Sequence, residues 1–230
     1  MAAPVAQAAT RVCAEPTDWR PTGTLPQTMA AMTKGQVTVL AIGSSSTEGV
    51  GASSPARSYP ARLEAEWEAS TPTVDVKVVN AGIGGEVAEQ TLKRLLVALD
   101  QVKPDLVIWQ LGSNDALRGI PIEQFALIAN NGIEAVKKSG ADLLLMDLQY
   151  APALDNSPVS ELYEREILRL AADTKTGIIQ RWRLTRHWKD VGFMNVAGPD
   201  GLHMTDEGYG CLALLLSKSI VSLQALALQR

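Results

Sequence analysis

The stretch VTVLAIGSSSTEG, residues 37–49, is an apolar run that ends in three serines. Its first six residues are almost all apolar, which is typical of a strand buried on both faces of a parallel sheet. Segments with helical spacing separate it from four further apolar runs. The sequence therefore predicts an α/β fold, a three-layer α/β/α sandwich around a five-stranded parallel sheet. The predicted strands cover residues 37–42, 74–79, 106–111, 143–148 and 177–180.

The intervening helical segments complete the pattern. They are predicted at residues 59–69, 86–100, 122–138, 159–174 and 205–226. Ligands of such open sheets collect at the carboxyl ends of the strands. We therefore expect any chemistry in the segments that leave the strands, including the long stretch 182–201.

Length and composition favour one globular domain. The chain has 230 residues, of which 46% are hydrophobic and 20% charged, as in ordinary globular proteins. Residues 1–35 are rich in Ala, Thr and Pro and are predicted to form an extended N-terminal arm, and residues 36–230 a single domain. The net charge of -4 gives no reason to expect nucleic acid as a partner. No apolar run reaches the roughly 20 residues of a membrane span.

The two cysteines and the amino terminus give information on the cellular compartment in which the protein works. Cys13 and Cys211 lack metal-ligand spacing, and either a disulfide or two buried free thiols would fit them. The start MAAPVAQAAT is not an intact signal peptide, but it fits a tail left after one was removed. We therefore expect an extracytoplasmic location, periplasmic or secreted.

A serine nucleophile needs an imidazole to accept its proton, and the chain has two histidines. His203 lies three residues after Asp200, so the carboxylate of a tight turn could orient its ring. His187 lies among cations in RWRLTRHWKD and is the poorer candidate base. A histidine that only helps to cap the following helix remains an alternative for His203.

A tetrahedral intermediate needs hydrogen-bond donors for its oxyanion. The segment NAGIGGE, residues 80–86, leaves the second strand, and its small residues allow backbone N–H groups to approach a ligand. Asn114, in GSND, follows the third strand and could add its side-chain amide. Ordinary turns and helix caps explain each segment equally well when it is taken alone.

Together, the four segments resemble the SGNH or GDSL hydrolases, most strongly the bacterial branch with thioesterase I, lysophospholipase and arylesterase-like enzymes. The resemblance runs from about residue 37 to the end of the last helix and implies a flavodoxin-like fold. It places Ser45 on the nucleophile and Asp200 and His203 on the rest of the triad. It places Gly85 and Asn114, with the N–H of Ser45, on the oxyanion hole.

The resemblance implies a serine esterase that forms an acyl-enzyme and needs no metal or organic cofactor. The expected partner is a small-molecule acyl ester: a carboxyl ester, a thioester or a lysophospholipid. Candidate substrate contacts are Arg118, Tyr150 and Trp188. One departure is Ser44, where the family usually has Asp; we expect Ser44 to support the turn and Ser46 to be structural.

Other readings stay open at this point. A carbohydrate O-acetyl esterase fits the same motifs, and the serine at position 44 would also fit a catalytically inactive SGNH-fold binding module. A dinucleotide-binding protein is disfavoured, because Val87 stands where the third glycine of that fingerprint belongs.

Overall fold

The structure, a computed structural model, describes residues 13–17, 19, 21–155, 157, 159–193 and 197–227, the last five as backbone only. Its centre is a parallel sheet of five strands in the order β2-β1-β3-β4-β5. This order confirms the predicted fold class. The strands are β1 (Gln36–Gly43), β2 (Asp75–Gly82), β3 (Leu106–Gln110), β4 (Asp142–Met146) and β5 (Gly177–Ile179).

The strand order reverses at β1, which lies between β2 and β3. In the register, Leu40 of β1 is opposite Val79 on one side and Val107 on the other. The chain therefore leaves β1 at a switch point, where the loops after neighbouring strands diverge and leave a crevice. Ser45 lies at this point.

Ten α-helices are found in the described part of the chain, and five of them match the predicted helices to within two residues at each end. These five are α3 (Tyr59–Ser70), α4 (Ala88–Val102), α6 (Ile122–Ser139), α8 (Ser160–Thr174) and α10 (Asp206–Ala227). The others were not predicted: α1 (Pro26–Thr33), α2 (Ser45–Glu48), α5 (Ser113–Arg118), α7 (Pro152–Asp155) and α9 (Arg181–Asp190).

Helix α9 covers the first half of the stretch 182–201, for which no helix was predicted. It buries Leu184 and Trp188 on one face, while most of its cationic side chains lie on the other. These charged residues masked the helical period in the sequence.

Two hydrophobic cores cover the two faces of the sheet. Alternate residues of a strand point to opposite faces. Val39 and Ala41 accordingly pack in the core with α3 and α10, while Leu40 and Ile42 pack in the core with α4, α6 and α8. The three layers are thus built from strands that are apolar on both sides.

The described part of the predicted arm is attached to the domain at several points. Helix α1 lies within it, so this part is not extended throughout. Thr22 pairs antiparallel with Ile178 of β5. Cys13 and Cys211 form a disulfide with their Cα atoms 5.5 Å apart, the first of the two alternatives left open by the sequence. Among the described helices, none has the length and apolar character needed to cross a membrane.

Candidate active site

Ser45 begins the one-turn helix α2 directly after β1. Gly49, with φ +105°, ends this helix in a left-handed conformation that glycine adopts without strain. A Cβ atom on Gly82, at the end of β2, would lie 2.0 Å from the backbone nitrogen of Glu48. Only glycine therefore lets β2 end against α2, and the contact fixes the serine turn at the carboxyl edge of the sheet.

Asp200, His203 and Ser45 are linked by a chain of hydrogen bonds. The carboxylate oxygen Oδ1 of Asp200 accepts the backbone N–H groups of Leu202 and His203, each at 3.0 Å, which closes the predicted tight turn. Its other oxygen lies 2.5 Å from Nδ1 of His203. Nε2 of the same ring lies 2.7 Å from the hydroxyl oxygen of Ser45. With Nδ1 protonated against the carboxylate, Nε2 can accept the serine proton.

The environment of Asp200 keeps its carboxylate ionised. Partial burial favours the neutral acid, but the bonds from the ring of His203 and the two backbone N–H groups outweigh this effect and lower the pKa of Asp200 to about 2. The side chain remains 48% exposed. An ionised carboxylate at this distance orients the imidazole and stabilises the imidazolium that forms when the ring takes a proton.

The glycine-rich segment after β2 lies beside the serine. A Cβ atom on Gly84 would be 3.8 Å from Cβ of Ser45, and the N–H of Ile83 donates to the carbonyl oxygen of Gly43 at 3.1 Å. Gly85 follows with φ +79°, again in the region that favours glycine. The predicted oxyanion segment and the predicted nucleophile are therefore neighbours.

Asn114 and Arg118, both on α5, contact this same segment. The amide of Asn114 donates to the carbonyl oxygen of Glu86 at 2.8 Å, a bond that uses one of its two amide hydrogens. Arg118 donates through Nη2 to the carbonyl oxygen of Gly85 at 2.6 Å. The predicted substrate contact Arg118 is thus attached to the glycine-rich segment, next to the candidate oxyanion donor.

Two other predicted substrate contacts belong to the core instead. Trp188 is completely buried, and its indole N–H donates to the carbonyl oxygen of Ala14 at 2.6 Å. Tyr150 is also buried; its hydroxyl donates to Asp155 at 2.7 Å and accepts from Lys189 at 2.6 Å. The prediction for these two residues is corrected: helix α9 and the segment after β4 turn the aromatic rings inward.

The structure also shows how Ser44 is held. Its backbone N–H and its hydroxyl both donate to the side-chain oxygen Oε1 of Gln110, at 2.8 and 3.0 Å. Both residues are buried. The hydroxyl of Ser44 is therefore directed into the protein, beneath the turn that presents Ser45.

A second buried glutamine, Gln149, was missed by the sequence analysis. Its side-chain oxygen accepts the hydroxyls of Ser46 and Ser113, each at 3.4 Å, and its Nε2 donates to the carbonyl oxygen of Leu202 at 3.2 Å. It thus connects three of the four site segments. The available signal was a polar residue at the end of an apolar strand, Gln110 in β3, and another shortly after one, Gln149 after β4.

Within the described ranges, no group of three or more histidine, cysteine, aspartate or glutamate side chains is placed to hold a metal ion.

Comparison with known proteins decides the family. The model of the non-GDSL lipase-like family matches residues 12–225. The chain belongs to this family. This non-GDSL lipase-like protein is 35% identical over 100 residues to an arylesterase of Vibrio mimicus, a match that covers 41% of this chain and 50% of the relative. It is 36% identical over 112 residues to thioesterase 1/protease 1/lysophospholipase L1 of Escherichia coli K12. This match covers 49% of this chain and 51% of the relative.

The lipase-like chain spans about half the length of the curated relatives that it matches. Among solved structures, it resembles a two-domain esterase, CEX, active on acetylated mannans and crystallised with mannopentaose. The TM-score is 0.75 at 22% identity, covering 89% of this chain and 55% of CEX. This likeness supports the fold alone. The family assignment confirms the resemblance to lipases and esterases that the sequence motifs indicated.

Proposed function

We propose that this protein hydrolyses acyl esters through an acyl-enzyme formed on Ser45. The observation that carries the proposal is the continuous path from the Asp200 carboxylate through the His203 ring to the Ser45 hydroxyl, with contacts of 2.5 and 2.7 Å. A serine hydroxyl becomes an effective nucleophile when an oriented imidazole can take its proton.

The reaction begins when Oγ of Ser45 attacks the ester carbonyl carbon and its proton passes to Nε2 of His203. Asp200 stabilises the resulting imidazolium. The imidazolium then gives this proton to the departing alcohol oxygen as the bond to it breaks. A water molecule attacks the acyl-enzyme in the same way, with His203 as base, and releases the acid and the free serine.

The negative oxygen of each tetrahedral intermediate needs donors that are already in place. We assign this role to the backbone N–H groups of Ser45 and Gly85 and to the second amide hydrogen of Asn114. Their placement is supported by the packing of Gly84 on Ser45 and by the bond from Asn114 to Glu86. Donors fixed in this way stabilise the transition state without having to reorganise during the reaction.

The surroundings of the site favour an uncharged, apolar acyl or aryl group. Val50, Ile83 and Leu117 are large apolar residues that remain 38%, 47% and 43% exposed. Each lies in a segment that carries or contacts a proposed site residue: Ile83 stands between Gly82 and Gly84, and Leu117 precedes Arg118. We therefore place simple carboxyl esters first, which agrees with the name of the arylesterase relative.

The choice of substrate is tested with nitrophenyl esters of rising acyl chain length, run beside a thioester, a lysophospholipid and an acetylated mannan. We expect turnover of the nitrophenyl esters by the wild type and none by Ser45→Ala. Preference for the acetylated mannan would instead identify an O-acetyl esterase. A folded wild type that cleaves none of them would contradict the proposal and favour a binding module.

We also propose that the protein works in an oxidising, extracytoplasmic compartment. The disulfide between Cys13 and Cys211 supports this location, because structural disulfides persist where thiols are not kept reduced. A protein recovered from its native host with both thiols free would contradict it.

A further inference from the structure

Arg94, on helix α4, contacts the ends of the two strands that lead into the candidate site. Its Nη1 donates to the carbonyl oxygen of Ala81 at 2.7 Å, and its Nη2 donates to that of Gly43 at 3.2 Å. Gly43 is the last residue of β1, two positions before Ser45. Ala81 is the penultimate residue of β2, directly before the glycine-rich segment. One guanidinium group thus joins the two backbone segments that supply Ser45 and Gly85.

The same side chain holds Glu86, the residue after Gly85. Nε of Arg94 lies 2.9 Å and Nη2 lies 2.5 Å from Oε2 of Glu86. The backbone carbonyl of Glu86 in turn accepts the amide of Asn114. Arg94 is therefore connected, directly or through Glu86, to all three segments that carry the proposed oxyanion donors.

The geometry requires an arginine rather than any cation. A guanidinium group is planar and has five N–H donors in a fixed arrangement, whereas an ammonium group is a compact point charge. The acceptors of Arg94 are spread over three guanidinium nitrogens, Nε for Glu86, Nη1 for Ala81 and Nη2 for Gly43, and the single nitrogen of a lysine side chain cannot match this spread. The side chains of Arg94 and Glu86 are also largely withdrawn from solvent, at 27% and 14% exposure, so water screens their pairing less than it would on the surface.

We propose that Arg94 is the positioning residue that keeps the oxyanion donors in register with Ser45. This inference rests on the proposed esterase function. The residue does not contact the reacting atoms; it acts through the backbone of Gly43 and Ala81 and through Glu86. Removing it should let the glycine-rich segment drift from Ser45, which weakens stabilisation of the transition state more than it weakens binding of the ester.

The matched control is the neighbouring residue, Lys93. Its ammonium pairs with Glu89 on the outside of the same helix, and its side chain is 71% exposed. Replacing Lys93 with alanine removes a cation and an ion pair from α4 but touches none of the site segments.

The experiment compares kcat, KM and the unfolding midpoint for nitrophenyl acetate hydrolysis by the wild type, Arg94→Ala, Arg94→Lys and Lys93→Ala. We expect kcat to fall on the order of tenfold to a hundredfold in Arg94→Ala, with KM within about threefold of the wild type. Arg94→Lys should recover only a small part of the loss, and Lys93→Ala should match the wild type. Millimolar guanidinium ion should restore part of the kcat of Arg94→Ala. It should leave the kcat of the wild type, Arg94→Lys and Lys93→Ala unchanged.

Two results would contradict the proposed role of Arg94. If Arg94→Ala does not fold, Arg94→Lys decides, since it keeps the charge and most of the side-chain volume. A kcat within about twofold of the wild type in the folded arginine variants would overturn the inference while leaving the esterase function intact. A wild type without turnover would overturn the proposed function, and this inference with it.

Discussion

Nε2 of His203 lies 2.7 Å from the hydroxyl oxygen of Ser45, although 158 residues separate them in the chain. The loop after α2 brings them together. A Cβ atom on Gly51 would lie 2.6 Å from the carbonyl oxygen of Met204 and 3.0 Å from Cβ of His203, so a glycine here allows the loop to pass beside the histidine. Tyr209 of α10 fixes the contact by donating its hydroxyl to the carbonyl oxygen of Val50 at 2.7 Å.

Replacing Ser44 with alanine should lower stability more than activity. The variant loses the hydroxyl bond to Gln110 but keeps the bond from the backbone N–H. We expect the free energy of unfolding to fall by about 1 kcal/mol, the usual worth of one such bond. The kcat should stay within about tenfold of the wild type. Urea unfolding and steady-state kinetics measure the two effects. A loss of activity as complete as in Ser45→Ala would contradict a supporting role for Ser44.

Replacing Asn114 with alanine should reduce kcat by roughly a hundredfold to a thousandfold and change KM little, because an oxyanion donor acts mainly in the transition state. Asn131→Ala is the control, since Asn131 is an exposed residue of α6. Steady-state kinetics on one nitrophenyl ester would show the difference. An Asn114 variant with an unchanged kcat would remove this residue from the proposed oxyanion hole.

Removing the disulfide should destabilise the protein without removing its activity at room temperature. Cys13 and Cys211 are 198 residues apart in sequence, so the bond closes a long loop of the unfolded chain. In Cys211→Ser we expect the free energy of unfolding to drop by about 2–4 kcal/mol. A reducing agent should lower the unfolding midpoint of the wild type similarly and leave the variant unaffected. A midpoint insensitive to reduction would show that the bond does not stabilise the folded state.

Asp147 should make the stability depend on pH. Its carboxyl group is completely buried, and burial raises its pKa to about 8, although the Trp182 N–H bond and the charge of Arg181 oppose this rise. Between pH values of about 4 and 8, the unfolded state therefore releases a proton that the folded state retains, and the stability of the wild type falls as the pH rises.

The variant Asp147→Asn keeps an acceptor for Trp182 and has no proton to lose. Its free energy of unfolding, relative to the wild type, should therefore increase from about pH 5 to about pH 8. Urea titrations of both proteins at several pH values measure this gap. A gap that stays constant over this pH range would mean that Arg181 keeps Asp147 ionised in the folded state.

Much of the fold was predictable because its signals are local. Strand β1 was predicted at residues 37–42 and is found at Gln36–Gly43, since an apolar run shows its burial directly. Helix α9 was missed because arginines and a lysine surround its buried Leu184 and Trp188 and hide the helical spacing of the apolar residues. The same error suggested Trp188 as a substrate contact, when its ring belongs to the core.

In the candidate site too, some residues could be predicted from a local pattern in the sequence and others could not. Asp200 and His203 form one tight turn, so their pairing was visible as a spacing of three residues. No local pattern indicated Arg94, and the polar residue Gln149 after an apolar strand did not show which segments it joins. Arg94 reaches Gly43, 51 residues earlier, and Gln149 reaches Leu202, 53 residues later. Contacts of this kind depend on how the segments meet after folding, and no local pattern in one sequence records them.

The most direct test of the central claim, that Ser45 is a nucleophile activated by His203, is covalent labelling with a fluorophosphonate followed by peptide mass analysis. We predict one adduct on Ser45 in the wild type and in His187→Ala, and a rate at least about a hundredfold lower in His203→Ala, because only His203 can take the serine proton. A folded wild type that stays unlabelled, or an adduct on another serine, would contradict the account.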